Sequence, residues 1–350
     1  RPLLQSLGIG HARTLALHAH NEASQTGRLL DLIRDAYLLH ENGETINPDS
    51  YFLRFPERPE ARIIALPAYV GGSYDVAGIK WISSFPKNVE SGLPRASAVL
   101  ILNDYATGYP IACMEAAAIS ATRTAASAAL AATALRPAGY GGSVLSFIGG
   151  GVIARYITDY LHHAGVRPSS VFVHDIDQES GRLLAGYAAE VFGVQANYSE
   201  KLSDALAADT VVLATSTEEP YITTPLRPGQ LFLNISLRDL APELILDANN
   251  VFDDAEHCMR ANTSPHLAEQ KSGGRDFVTG TLAQVLRGDI SVPLDRPMIF
   301  SPFGLGVLDL VVGTHVLRRY QDSVSAPAEA TTSASGGVTL DEFFAESTRW

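Results

Sequence analysis

The segment Val144-Leu145-Ser146-Phe147-Ile148-Gly149-Gly150-Gly151-Val152-Ile153-Ala154 runs from strand-forming apolar residues straight into three glycines. A buried strand that delivers the chain to Gly149 must turn tightly there, where a residue without Cβ is needed. Gly151 lets the backbone approach a pyrophosphate, whose charge the free amides at the next helix's N-terminus stabilise. Ala154 stands in place of a third glycine, and its small side chain permits close packing of helix on strand. A glycine pattern alone is weak evidence and needs its context. Here a helix follows, and then the strand Val171-Phe172-Val173-His174 ends at Asp175, roughly 20–25 residues on, as a dinucleotide fingerprint requires. A carboxylate there can accept hydrogen bonds from both ribose hydroxyls of NAD and would repel the 2′-phosphate of NADP. Arg182, which could offset that repulsion, lies a turn or more into the next helix. The expected cofactor set is Gly149, Gly150, Gly151, Val152, Ile153 and Asp175, with Thr215 and Ser236 after two later strands.

Three further residues have the chemistry of a substrate site. Lys80 stands in Gly78-Ile79-Lys80-Trp81-Ile82, facing the same way as Gly78 and Ile82. Such a lysine either lies at an exposed sheet edge or points into a cleft. Arg123, in Thr122-Arg123-Thr124-Ala125-Ala126, has only small neighbours to cover it, which favours a guanidinium that meets a carboxylate. Asp239 follows the strand at 231–235, near the carboxyl edge where ligands of open α/β sheets bind. A plain structural reading stands beside each: a solvated lysine, an interdomain ion pair and a helix N-cap.

The elements that must position these residues fall into two grammars. Over 21–40, Leu29, Leu30, Ile33, Tyr37 and Leu38 recur at helical spacing, and Gly43 breaks the pattern. Strands follow at 51–55, 62–67, 78–85, 98–103 and 109–114, with a hairpin turn at 104–108 (DYATG). Their connections are too short for crossover helices, so this is an antiparallel α+β domain. After an Ala-rich helix over 115–135, strands at 143–148, 170–175, 210–214, 231–235 and 250–253 alternate with helices at 153–164, 178–192 and 202–207. That alternation predicts a parallel, doubly wound Rossmann sheet. A last helix over 304–320 runs back toward the first domain. The expected boundaries are 1–122 plus 305–322 for the strand-rich domain and 123–304 for the nucleotide domain. Residues 323–350 form a flexible tail of linker composition, ending in a capping box at 339–342.

At 350 residues, 46% hydrophobic and 18% charged, the chain should fold as a globular protein with a sizeable core. Its formal charge of −12 argues against nucleic acid, since nothing would neutralise a phosphate backbone. Cys113 and Cys258 are far apart in sequence and read as two buried thiols in a reducing compartment. No basic, apolar leader is visible. The Ala-rich stretch over 116–135 carries Arg123 near its middle, so no membrane span is expected and the cytoplasm is the expected location. No metal is expected, and the pair His162-His163 reads as helix surface.

Several of these segments, in this order, resemble the ornithine cyclodeaminase/μ-crystallin family. They are the region around Lys80, the stretch 122–126, the turn 149–154 and residues 301–309 (SPFGLGVLD). The wording FLRFP at 52–56, PAYVGG at 67–72, KWISSFP at 80–86 and PRASA at 94–98 is similar to one branch of that family. That branch comprises the dehydrogenases that form L-2,3-diaminopropionate for siderophore and peptide antibiotic pathways. The resemblance implies NAD-dependent oxidation of N-(1-amino-1-carboxy-2-ethyl)-L-glutamate, with water, to 2-oxoglutarate and L-2,3-diaminopropionate. By position it implies that Arg54, Lys80 and Arg123 hold substrate carboxylate and that Asp239 is the general acid/base; three carboxylates on one substrate would also explain Arg95 converging with them. It also implies a homodimer formed through the strand-rich domain, with an upstream synthase as a candidate partner.

The chemistry suits the residues. Hydride leaves a carbon bearing a secondary amine and a carboxylate, a base handles the amine proton, and cations fix the carboxylates so that the reacting hydrogen is aimed. A carboxylate near Lys80 could be tuned as that base. The chain departs from the cyclodeaminases at Ile63-Ile64-Ala65-Leu66-Pro67, where they carry an acid and a methionine. A longer segment also separates that proline from Lys80, and both differences favour a larger, more anionic substrate. Two other readings stand: ornithine cyclodeamination or cyclic ketimine reduction, and a μ-crystallin-like protein that mainly binds a small ligand.

Overall fold

The computed structural model describes residues 5–6, 23–136 and 139–325. The chain divides into two compact units, one made of the residues up to Arg123 with those from Leu305, the other Thr124–Gly304.

The first unit is built on a sheet of β1 (Gln5–Ser6), β2 (Thr45–Ile46), β3 (Tyr51–Phe55), β4 (Arg58–Val70), β5 (Val76–Ser84), β6 (Ala96–Asp104) and β7 (Pro110–Glu115). Its order is β1-β7-β6-β5-β4-β2, with β3 also on β4. The meander is antiparallel as short connections demand, and only β1 joins parallel, on β7. Side chains alternate between faces. Leu66, Ala68, Val70, Leu100, Leu102 and Met114 turn to the covered face, against the closing helix Gly306–Ser325. Gly313 lets that helix sit down on Leu100, whose Cδ2 a Cβ would meet at 2.1 Å. Helix α1 (Ala23–Glu41) packs beside it and buries Leu29, Ile33 and Tyr37 of the stripe read from the sequence, together with Ala36, while Leu30 and Leu38 are half-buried. The opposite sheet face leaves Leu53, Trp81 and Val99 exposed. The turn at 104–108 is closed by Gly108 N–H to Asp104 O and Asp104 N–H to Tyr109 O.

Helix α2 (Ala117–Leu135) carries the chain into the second unit. There β8 (Val144–Ile148), α3 (Val152–His163), β9 (Ser170–His174), α4 (Gln178–Phe192), β10 (Gln195–Tyr198), α5 (Leu202–Leu206), β11 (Thr210–Leu213) and β12 (Leu231–Asn234) follow in turn. After them come α6 (Pro242–Leu246), β13 (Asn249–Phe252), α7 (Ala255–Cys258), α8 (Ser264–Ser272), β14 (Val278–Thr281), α9 (Leu282–Arg287) and β15 (Met298–Ser301). All eight strands run parallel in the order β10-β9-β8-β11-β12-β15-β13-β14. The chain winds outward from β8 through β9 to β10 and then crosses to β11, which makes β8/β11 the topological switch point of a Rossmann fold.

The sequence reading missed β10, β14, β15 and the helices α6 to α9. These are pieces of four to nine residues, too short for periodicity to register. The closing helix continues to Ser325, so the tail assigned to 323–350 begins later than expected; its remainder, with the capping box at 339–342, lies outside the described residues. Cys258 is buried, but Cys113 is only half-buried, a correction to the reading of two buried thiols. His162 and His163 close α3, half-buried against each other. Among the described residues no helix is long and apolar enough to cross a membrane.

Candidate active site

The glycine turn sits at the switch point, and its three glycines do different work. Gly149 has φ +97°, and a Cβ there would lie 2.5 Å from the carbonyl oxygen of Ala214 at the end of β11. The loops after β8 and β11 therefore touch, and no other residue fits. At Gly150 a Cβ would lie 2.7 Å from Ser180 O on α4. Gly151 differs, since a Cβ there would meet nothing within 4 Å. It caps α3 with no side-chain hydrogen bond, so the amides of Val152 and Ile153 open a helix N-terminus onto unfilled space. That is the cradle an anion such as pyrophosphate needs.

Asp175, one residue past β9, turns its carboxylate back to this loop. Its Oδ2 accepts from Gly150 N–H at 2.6 Å and its Oδ1 from Asp177 N–H at 2.8 Å. A carboxylate has about four acceptor positions, so two remain for hydroxyl groups. Beside it Ile176 is 98% exposed, an apolar surface suited to the face of a base, which pattern reading passed over because Ile176 lies outside any periodic element. These residues together fit a dinucleotide.

Thr215, Ser236 and Asp239 form a second cluster at the same carboxyl edge. Asp239 is fully buried. Its Oδ1 accepts from Thr215 Oγ1 at 2.6 Å and from Tyr221 Oη at 3.1 Å, and its Oδ2 from Ser236 Oγ. Burial and the neighbouring Asp239 push the Tyr221 phenol well up, so it stays a donor. Leu237, inside the Ser236–Asp239 turn, is held at φ +68°, a strained conformation for a branched side chain. The N-cap reading of Asp239 does not hold, because α6 is capped at Ala241.

In the first unit the cations collect around a carboxylate. Lys80 on β5 is 1% exposed, so neither the solvated nor the edge reading holds. Its Nζ lies 2.7 Å from Asp309 Oδ2 and donates to Ser120 Oγ at 3.1 Å. Arg123 Nε lies 3.3 Å from Asp309 Oδ1. Ser120 and Arg123 sit three residues apart on α2 and so share a face. Burial, and then Arg123, pull the Lys80 ammonium down to about 8, against the opposing pull of Asp309. Asp309 is the residue that sequence reasoning missed, although the stretch 301–309 was singled out. The signal was an acid in the first turn of Gly306-Val307-Leu308-Asp309-Leu310-Val311-Val312, which had to be paired if buried.

Arg95 and Arg54 stand elsewhere on the same sheet. Arg95 Nη1 donates to Ser84 Oγ at 3.0 Å, and burial followed by the nearby Arg62 holds its guanidinium below the usual value. Arg54 is exposed, with its guanidinium 5.3 Å from the Phe52 ring centroid. The structure brings Lys80 and Arg123 onto one carboxylate, while Arg54 and Arg95 sit near the far end of β5, where Ser84 closes the strand.

Residues 14–323 match the ornithine cyclodeaminase/mu-crystallin family. The chain belongs to that family. Its similarity to the N-((2S)-2-amino-2-carboxyethyl)-L-glutamate dehydrogenase of Staphylococcus aureus is 31% identity over 292 residues, 80% of this chain and 86% of that one. Two solved structures share the fold. The Δ1-pyrroline-2-carboxylate reductase of Thermococcus litoralis, in complex with NADH and L-proline, has a TM-score of 0.78 at 21% identity, covering 91% of this chain and 98% of that one. An archaeal alanine dehydrogenase dimer with bound NAD has a TM-score of 0.78 at 23% identity, covering 94% and 99%.

Proposed function

We propose that this family member is an NAD-dependent amino-acid dehydrogenase that oxidises N-(1-amino-1-carboxy-2-ethyl)-L-glutamate, with water, to 2-oxoglutarate and L-2,3-diaminopropionate. The observation that carries the reading is the buried Lys80–Asp309–Arg123 network on a sheet face that also bears Arg54 and reaches Arg95. Two cations converge on one carboxylate there, an arrangement suited to receiving a carboxylate of the substrate. The similarity to the Staphylococcus aureus dehydrogenase supports the same substrate.

Bound to Gly149–Ile153 and Asp175, NAD supplies a hydride acceptor. The protein does the rest. Lys80 and Arg123 hold the carboxylate on the reacting carbon, which fixes where its hydrogen points. Arg54 and Arg95 take the other carboxylates. Asp239 handles the amine proton and directs water, and the hydroxyls of Thr215, Ser236 and Tyr221 fix its orientation and can pass a proton on. The exposed apolar face of the first sheet, with Leu53, Trp81 and Val99, supports a homodimer. An upstream synthase would furnish the adduct, and the product would serve siderophore or peptide antibiotic assembly.

The test is NADH formation with the adduct and with L-ornithine, each offered NAD and NADP. NADH from the adduct with NAD alone is the expected result. Proline formed from ornithine, or silence with the adduct, would overturn the reading.

A further inference from the structure

Asp239 handles the amine proton in the proposed reaction, yet none of its surface is open, at 0% exposure. A general base must lie within hydrogen-bond reach of the proton it takes, or be linked to it by one intervening group. Every route to this carboxylate runs through a group already bonded to it. Three hydroxyls hold that place. Thr215 and Tyr221 donate to Oδ1, at 2.6 and 3.1 Å, and Ser236 donates to Oδ2.

Tyr221 differs from the other two in reach and in chemistry. It is 40% exposed although its phenol touches a carboxylate with no exposed surface, so the ring spans from the interior to the outside. Its place is fixed by the backbone of the acid itself. The amides of Tyr221 and Ile222 both donate to the Asp239 carbonyl, at 3.1 and 2.9 Å, and Ala241 N–H returns to Ile222 O at 2.9 Å. Ile222 and Leu240 form a parallel bridge there. Thr215 Oγ1, by contrast, also accepts from Thr217 N–H at 3.3 Å, and Ser236 sits inside the turn that carries Asp239. Tyrosine is also among the side chains that serve as general acids and bases, whereas serine and threonine alcohols need a separate base to activate them. Burial, and then Asp239, raise the proton affinity of the phenol, so the ring takes a proton on one side only as it gives one up on the other.

We propose that Tyr221 is a catalytic residue, the group that touches the substrate amine and relays its proton to Asp239. The inference deepens the proposed function and rests on it for the amine concerned. An N–H bond of the substrate ammonium breaks and its proton passes to Tyr221 Oη. The phenol's own proton passes to Asp239 Oδ1, which turns the carboxylate into a carboxylic acid. The nitrogen keeps the electron pair, which forms the C=N bond as hydride leaves the neighbouring carbon for NAD. Tyr221 ends the step protonated, as it began.

Tyr221→Phe and Ser236→Ala each remove one hydrogen bond to Asp239, so comparing them separates a relay from an orienting contact. In single-turnover NADH formation with the adduct, Y221F should be slowed about 10²–10⁴-fold, the usual worth of general acid–base catalysis. Its KM for the adduct and its NADH affinity by fluorescence titration should stay near wild type. S236A should lose about tenfold, the scale of one hydrogen bond. A Y221F loss at least about tenfold beyond that of S236A supports the relay, and any smaller difference overturns it. A second measurement needs no substrate. Wild type, Y221F and Tyr221→Ala are treated with a water-soluble carbodiimide and glycinamide, and labelling of Asp239 is read by mass spectrometry. Tyr221→Val takes the place of Tyr221→Ala if the latter does not fold. Labelling confined to the variant without the ring is expected; labelling of wild type, or protection in every variant, would overturn the relay. Should wild type leave the adduct untouched, the proposed function fails, and the labelling still decides whether Tyr221 stands between Asp239 and the outside.

Discussion

Replacing Asp309 with Asn removes one charge from the covered interior of the first unit and keeps the shape. It leaves the buried Lys80 and the Arg123 guanidinium, 14% exposed, without the carboxylate they share. Breaking a buried pair from one side typically costs about 3–5 kcal/mol. Here the loss through Lys80 has a ceiling, because the lysine can give up its proton. The Lys80 ammonium falls from 10.5 to about 8 on folding, so keeping its proton in the wild-type interior already costs about 3 kcal/mol. Surrendering that proton near pH 7 would cost about 5 kcal/mol relative to the unfolded chain. The variant therefore loses no more than about 2 kcal/mol through Lys80, plus at most about 1 kcal/mol for the partly exposed Arg123 pair.

The pH dependence separates the two parts. Lys80 titrates lower in the folded protein than in the unfolded chain, so the unfolded chain binds more protons between about 8 and 10.5. The penalty on wild type is full below about 8 and gone above 10.5. Above about 8 the wild-type lysine is itself largely neutral, and the variant has little left to lose there. Urea unfolding of both proteins near pH 7 and near pH 9.5 should show a destabilisation that shrinks by about 1–2 kcal/mol at the higher pH. The shrinkage should disappear when both proteins also carry Lys80→Met. A destabilisation independent of pH, or a shrinkage that persists unchanged in the Lys80→Met background, would refute the idea that Lys80 and Asp309 act as a coupled buried pair.

The same lysine should govern substrate affinity, with KM for a carboxylate substrate rising as pH passes about 8 while NAD affinity stays level; initial-rate profiles against pH check this, and a flat KM would count against Lys80 as a carboxylate ligand. Gly151→Ala should fold with an unchanged melting temperature, since its Cβ would meet nothing, yet lose NADH binding by fluorescence titration because the new methyl keeps the pyrophosphate off the amides. Gly149→Ala, by contrast, should lower the melting temperature itself, given its φ of +97° and the Ala214 carbonyl in the way. Asp175→Ser should narrow the preference for NAD over NADP in kcat/KM; an unchanged ratio would remove Asp175 from cofactor choice.

How much of this was legible in the sequence depended on whether the controlling contact was local. The Rossmann order and the glycine turn follow from local patterns: an apolar run, a tight turn and an acid after the next strand, all within about 30 residues. Even the differing roles of Gly149 and Gly151 could be stated, because the tight turn and the open helix start are local, although the Ala214 carbonyl that also crowds Gly149 comes from another loop. Asp309 could not be assigned, since its partners Lys80 and Arg123 lie far away in sequence and nothing local says which cation a buried acid will find. The nearness of Arg95 to Ser84 was hidden for a related reason, since only the pairing of β5 with β6 brings that end of β5 to it. The hydroxyls around Asp239 show the intermediate case. Thr215 and Ser236 were expected at the nucleotide, and the structure shows that both hydroxyls also donate to the acid; strand ends locate a site but do not say everything each side chain there will touch.

An acidic chain of net charge −12 can still bind anions if its cations are placed where water is scarce. A buried lysine beside a second cation with no acid between them would be repelled at low effective dielectric, and would shed its proton and lose its use as a carboxylate ligand. Asp309 opposes this by lying 2.7 Å from Lys80 and 3.3 Å from Arg123, which favours the charged form of the lysine. The other end of β5 carries Arg95 on Ser84, with Arg54 on the same sheet face. A single-carboxylate amino acid engages only the first arrangement. A substrate with further carboxylates engages both, because it also brings an anion to Arg54 and Arg95. The sheet thus carries a test for carboxylate number in its cross-strand register, and the selectivity it predicts is for polycarboxylate over monocarboxylate substrates.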